Sequence, residues 1–169
     1  MPSPLPRSRP FSVGAMRVSL ALSGLLFSVS IMGQECPLSA PLTIKDIQSG
    51  FAGETGTIWT IAADCSYTVA RQIGLKTLDP HQQGRLTPQE QAQLKDLLGR
   101  VAAAGLPKQL GAASQANARR VSLSYDGKDS TLTLAPGGGD LSAIPAAAAN
   151  DAAAALLDLA DQVKTMTAR

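Results

Sequence analysis

The sequence predicts an α+β domain in which two helices pack on one face of an antiparallel sheet of four to five strands. Segments rich in β-branched and aromatic residues come in neighbouring pairs, as in hairpins. The connections between them are too short for parallel crossovers. Two segments with apolar residues at helical spacing follow these pairs, so the expected order is ββ(β)-α-ββ-α.

The first group of predicted strands covers residues 41–49, 57–63 and 66–74. The first of these alternates between apolar and polar residues, and the other two are rich in β-branched and aromatic residues. The stretch 50–56, GFAGETG, contains three glycines and is predicted to be a loop. Trp59 is expected in the core, because a tryptophan on a half-buried strand is more often buried than a binding anchor.

The first helix is predicted within residues 86–107. Thr87-Pro88-Gln89-Glu90 reads as a capping box with proline at the first helical position, and Gly105 and Pro107 end the helix. One apolar stripe is expected to face the sheet, formed by Leu94, Leu97, Leu98, Val101 and Ala102.

The second half of the chain predicts a hairpin over 119–135 and a final helix over 150–167. Asp126-Gly127 is a turn signal between two alternating segments. Arg119 and Arg120 are expected to be charges at a sheet edge. Asn150 is expected to cap the helix. The apolar side of that helix is predicted to be Leu156, Leu159, Val163 and Met166.

Residues 79–90, DPHQQGRLTPQE, carry four markers of a calcium-binding EF-hand loop. Calcium needs oxygen ligands, but position three is His81, which offers nitrogen, and position five is Gln83, which carries no charge. Capping explains Glu90, and a turn that ends the preceding strand is expected to explain Gly84. No metal site is therefore predicted here.

Residues 1–33 are predicted to be a leader that contains a secretory signal peptide, because a basic start is followed by a short apolar run and small residues. The true start is expected to be Met16, and an uncleaved anchor is the alternative. The remaining 34–169 form one predicted domain, without a stable membrane span, that is secreted or periplasmic.

The predicted domain carries 12 basic and 13 acidic residues, because three of the 15 Lys and Arg lie in the leader. This balance gives no reason to expect nucleic acid as a partner. Two cysteines, Cys36 and Cys65, predict a disulfide in an exported protein, worth about 3 kcal/mol. Two unpaired thiols are the alternative.

The chemistry of an enzyme is sparse in this sequence. His81 is the only histidine, and the common nucleophile, phosphate-binding and zinc motifs are absent. A Cys65–His81 couple would be lost if Cys65 is oxidised. We therefore expect a non-catalytic domain without metal or cofactor.

Four stretches of the sequence carry a resemblance to a known family. They are IQSGFAGETGTIWTI, GRLTPQEQAQLKDLLGRVAAAGLP, RRVSLSYDGKDSTLTL and LLDLADQV. Together they resemble the emfourin family, protein inhibitors of the thermolysin-like zinc metallopeptidase protealysin. The resemblance covers roughly residues 42–165. It implies an α+β domain that binds a secreted or envelope metallopeptidase and blocks its active-site cleft.

The residues expected to bind that partner are Gly50, Phe51, Ala52, Gly53 and Glu54. Phe51 either contacts the peptidase or packs down on the sheet. The domain is expected to be a monomer. The alternative function is an envelope structural or adaptor domain of the same fold without inhibitory activity.

Overall fold

The computed structural model describes residues 36–111, 116–135 and 147–169. These residues all belong to one compact unit of the chain. The predicted leader, including Met16, lies outside the described residues. No helix in the described part of the chain is long and apolar enough to cross a membrane.

The described residues form five strands, a helix, three strands and a second helix. In order they are β1 Leu42–Gly50, β2 Gly53–Ile61, β3 Ser66–Ile73, β4 Lys76–Thr77, β5 Gln82–Arg85, α1 Pro88–Ala104, β6 Gln109–Gly111, β7 Arg119–Tyr125, β8 Lys128–Leu134 and α2 Ala147–Thr167.

All eight strands belong to one sheet in the order β4-β3-β2-β1-β7-β8-β6, and β5 also pairs with β3. The α+β class is confirmed, but the expected four to five strands are too few. The five predicted strands correspond to β1, β2, β3, β7 and β8. The missed strands have two to four residues and no apolar alternation. One of them, β6, pairs parallel to β8, whereas the other ladders are antiparallel.

One face of the sheet and both helices share a single hydrophobic core. Trp59 lies in it at 6% exposure, as predicted. The sheet contributes alternate residues such as Ile44, Trp59 and Leu123, which are neighbours across β1, β2 and β7. The predicted apolar residues of α2 are all buried, as are Leu94, Leu97 and Val101 of α1. The two helices therefore cover the same face, which is called the helix face below. The predicted stripe of α1 was too wide, because Leu98 is only partly buried and Ala102 is exposed.

The opposite, outer face carries Ser122, Ser124, Thr131 and Thr133 of the last hairpin, whereas Ser130 is buried on the helix face opposite Leu123. Ser122 and Thr131 oppose each other on the outer face, with their hydroxyl oxygens 3.1 Å apart. The face is not uniformly polar, because Ile47, Ile58 and Ala70 form a buried apolar strip across its first three strands.

The capping box of α1 is confirmed. The Thr87 hydroxyl accepts from the backbone N–H of Glu90 at 3.4 Å, and the Glu90 carboxylate accepts from the N–H of Thr87 at 2.7 Å. Gly105 ends the helix in the left-handed conformation, φ 63°. The turn predicted at Gly84 was wrong. Gly84 lies inside β5 opposite Tyr67, and a Cβ added to Gly84 would come within 2.7 Å of the Tyr67 ring.

The start of α2 differs from the prediction. The helix begins at Ala147, so Asn150 lies in its first turn and is not the N-cap. The side-chain oxygen of Asn150 is buried and has no hydrogen-bond partner among the described residues. Preceding alanines continue the helical pattern backwards, and this weakens the boundary signal of a single asparagine.

Cys36 and Cys65 form a disulfide, with their Cα atoms 5.5 Å apart. It ties the segment ahead of β1 to the turn between β2 and β3. Cys65 is fully buried at a φ of 64°, a conformation that non-glycine residues rarely adopt.

Candidate protein-binding site at the hairpin tips

The turn between β1 and β2 is shorter than predicted. The ladder continues to the Gly50–Gly53 pair, so only Phe51 and Ala52 lie outside it. The stretch 50–56 is therefore mostly strand rather than loop. Phe51 and Ala52 are not among the positive-φ residues, and Gly53, at φ 100°, takes the unusual conformation. We call Phe51 and Ala52 the first tip.

Phe51 is fully exposed, with a relative accessibility of 109%. It does not pack down on the sheet, so that alternative for its role is wrong. Exposing a whole phenylalanine ring forgoes about 1.5–3 kcal/mol of burial energy. No described residue covers the ring.

The five residues predicted to bind a partner are contiguous around this tip, but they differ in environment. Phe51 and Ala52 are exposed, and Gly50 and Gly53 pair in the ladder behind them. Glu54 is only partly exposed because its carboxylate pairs with Arg120. Glu54 is therefore already engaged within the domain.

A second apolar turn lies beside the first and was missed by sequence reasoning. Gly74 and Leu75 connect β3 and β4, with Gly74 at φ 59°. A positive φ at the first turn position fits a type II′ hairpin. Leu75 is 99% exposed and Ile73, just before the turn, is 58% exposed. We call Gly74 and Leu75 the second tip.

The two tips are joined through the backbone. The N–H of Gly74 donates to the carbonyl oxygen of Glu54 at 2.6 Å, and Ile73 lies opposite Thr55. The signal in the sequence was Leu75 itself, an apolar residue directly after a glycine where a turn usually carries polar residues.

Two ion pairs fix the strands at this end of the sheet. On the helix face, Arg119 donates to both carboxylate oxygens of Asp46 at 2.8 Å. These hydrogen bonds raise the pKa of the Arg119 guanidinium. On the outer face, Arg120 pairs with Glu54. The prediction that both arginines protect a sheet edge was wrong, because β7 lies between β1 and β8.

The segment before β7 borders the first tip. The carbonyl of Ala118 accepts from the N–H of Ser49 at 2.9 Å. The side-chain amide of Gln48 donates to the carbonyl of Asn117 at 2.6 Å. The base of the first tip is thus held by β2 on one side and by the start of β7 on the other.

The residues considered for chemistry do not form a reactive pair. Cys65 is bonded to Cys36, and His81 is exposed, with its backbone N–H donating to Val69 at 3.0 Å. Within residues 36–111, 116–135 and 147–169, no three His, Cys, Asp or Glu side chains are grouped so that they could hold a metal ion.

No protein-family model and no curated protein matches the sequence.

Proposed function

We propose that this protein is an exported inhibitor of a thermolysin-like zinc metallopeptidase, and that it acts by occupying the active-site cleft. The observation that carries the proposal is the full exposure of Phe51 on a two-residue turn. Aromatic side chains, phenylalanine among them, are enriched at protein–protein interfaces relative to the rest of the surface. The proposal also rests on the resemblance to the emfourin family.

The first tip is suited to binding because little order would be lost when it docks. Its two residues close a ladder in which nine residue pairs connect β1 to β2. The hydrogen bond from Gly74 and the ion pair with Arg120 hold Glu54 immediately behind it. A tip already fixed in its bound form saves the free energy otherwise spent on ordering a loop.

Occlusion is favoured over capture of the catalytic zinc. Zinc in proteins takes cysteine, histidine or carboxylate ligands. Phe51 and Ala52 offer none, and the nearby Glu54 carboxylate is held by Arg120. An aromatic side chain on a narrow turn would instead fill a substrate pocket and keep peptides out.

The disulfide supports the exported part of the proposal. Disulfides persist in oxidising compartments and are rare in the cytosol. The Cys36–Cys65 bond closes a span of 29 residues at the start of the described chain. A domain that meets secreted peptidases would benefit from a fixed N-terminal segment.

The test is a titration of the protein, purified after export, into an active thermolysin-like metallopeptidase while hydrolysis of a small substrate is followed. We expect stoichiometric loss of activity and at least tenfold weaker inhibition by Phe51→Ala. Gln83→Ala, an exposed change on β5, is the matched control and should inhibit like the wild type. Activity that persists at large molar excess against several such enzymes would overturn the proposal in favour of an adaptor domain.

A second measurement separates occlusion from zinc binding. The same peptidase is stripped of zinc, its fold is checked by circular dichroism, and its affinity for the inhibitor is measured by fluorescence anisotropy. Occlusion predicts an affinity within about threefold of that for the zinc enzyme, since no bond to the metal is made. A loss of a hundredfold or more would show that the metal is part of the contact.

A further inference from the structure

The three large hydrophobic residues that are strongly exposed in the described part of the chain lie at one end of the sheet. They are Phe51, Ile73 and Leu75. Single exposed apolar residues are common and scattered on protein surfaces, whereas a concentration of them marks an interaction site. Their common location therefore calls for a common explanation.

The two tips are neighbouring turns at the same end of the sheet. One turn joins β1 to β2 and the other joins β3 to β4, so they are offset by two strands. Two strand spacings amount to about 10 Å. That distance equals about three residues of an extended peptide.

The charges around the two tips differ. Behind the first tip, Glu54 of β2 is paired with Arg120, and Asp46 of β1 is paired with Arg119. At the second, Lys76 directly follows Leu75, is exposed and forms no ion pair among the described residues. Farther from the turn, Arg71 and Asp79 are both exposed and carry opposite charges, so Lys76 sets the local charge. The second tip is therefore locally basic, and complementary charge on a partner would be acidic.

We propose that the second tip is a further anchor in the same contact as the first, with Leu75 and Lys76 as determinants of specificity. This inference rests on the proposed inhibitory function. The occupant is the substrate cleft of the peptidase. It presents two apolar subsites about three peptide residues apart, with acidic side chains beside the one that receives Leu75.

The test measures inhibition constants and association rates for Leu75→Ala, Phe51→Ala, the double variant and Lys76→Glu. Leu75→Ala is expected to weaken inhibition at least fivefold, and Lys76→Glu to slow association at least threefold at low salt. The matched controls are Gln83→Ala and Lys95→Glu, both exposed and on other elements. Because Leu75 is exposed, its replacement should leave the melting temperature unchanged.

The outcomes separate this inference from the function on which it rests. If Phe51→Ala weakens inhibition but Leu75→Ala and Lys76→Glu both match the wild type, the second tip is not an anchor. The proposed inhibitory function is then unaffected. If the wild-type protein inhibits no such peptidase, the inhibitory function and the second anchor are both wrong. Self-association in sedimentation experiments that is lost in Leu75→Ala would assign the second tip to a contact between copies and overturn its role in the cleft.

Discussion

The backbone N–H of Gly74 donates a 2.6 Å hydrogen bond to the carbonyl oxygen of Glu54, and this bond joins the two exposed turns of the sheet. The side chain of Glu54 pairs with Arg120, which lies on β7, across β1 from Glu54. One residue of β2 thus connects the second tip to β7. The position of both tips depends on the strands meeting in this register.

Three glycines provide a graded test of that arrangement. At Gly56, an added Cβ would lie 2.2 Å from the carbonyl oxygen of Asp46, so Gly56→Ala should cost at least about 2 kcal/mol of unfolding free energy. Gly74 has open space around it but a φ of 59°, so Gly74→Ala should cost about 1 kcal/mol. Urea unfolding measures both changes.

Gly99 is the control for this series, because it lies in α1 with nothing within 4 Å of an added Cβ. Gly99→Ala should stabilise the protein by about 0.5–1 kcal/mol through helix propensity. The expected order is a gain at Gly99, a small loss at Gly74 and a larger loss at Gly56. A loss at Gly56 no greater than that at Gly74 would contradict the close approach of β1 and β2.

The sequence predicted the long elements well, because their stability comes from apolar periodicity that is visible in the letters. The core positions of α2 and the capping box of α1 followed from that periodicity and from local chemistry. Strands β4, β5 and β6 could not be predicted in this way, because they form where the chain runs beside an existing strand. Their residues, such as Gln82 and Gln83, carry no alternation to reveal this.

The candidate site was predictable in part for a similar reason. Phe51 stood out as a lone aromatic between glycines. Leu75 became meaningful only when the register placed the second tip beside the first. The ion pairs could not be predicted either. Arg119 and Asp46 lie on adjacent strands, β7 and β1, but are 73 positions apart in the sequence.

The Asp46–Arg119 pair should contribute measurably to stability. Both partners are partly buried, with the Arg119 side chain 30% and the Asp46 side chain 23% exposed, and the contact is bidentate. A double-mutant cycle with Asp46→Ala and Arg119→Ala should give a coupling of about 1 kcal/mol. The matched control is the Arg85–Asp64 pair, 64% and 57% exposed, with an expected coupling below about 0.5 kcal/mol. Equal couplings would show that burial does not govern these pairs.

The disulfide should provide a substantial part of the stability of the domain. Cross-linking across 29 residues is worth about 3–4 kcal/mol on the chain-entropy estimate. Reduction by dithiothreitol should therefore lower the urea midpoint of the wild type. Cys36→Ser should start near the reduced value and not respond to reductant. An unchanged midpoint for the reduced wild type would mean that the bond constrains little beyond the folded contacts.

Acid should weaken the contact between α1 and the end of the chain. Burial raises the pKa of Glu90, but hydrogen bonds from Arg169 and Thr87 and the charge of Arg169 outweigh it and leave that pKa below its ordinary value of 4.5. A carboxylate with a lowered pKa stabilises the fold above the unfolded value, and this stabilisation is lost as the pH falls through the folded value.

Glu90→Gln should therefore be less stable than the wild type by about 1 kcal/mol at pH 7. The difference should shrink steadily once the pH falls below 4.5, the ordinary value for this group. Urea unfolding from pH 7 to pH 3 measures it, with Asp96→Asn as control, since that carboxylate is 76% exposed. A wild-type advantage that persists unchanged to pH 3 would show that the Glu90 charge is not what stabilises the cap.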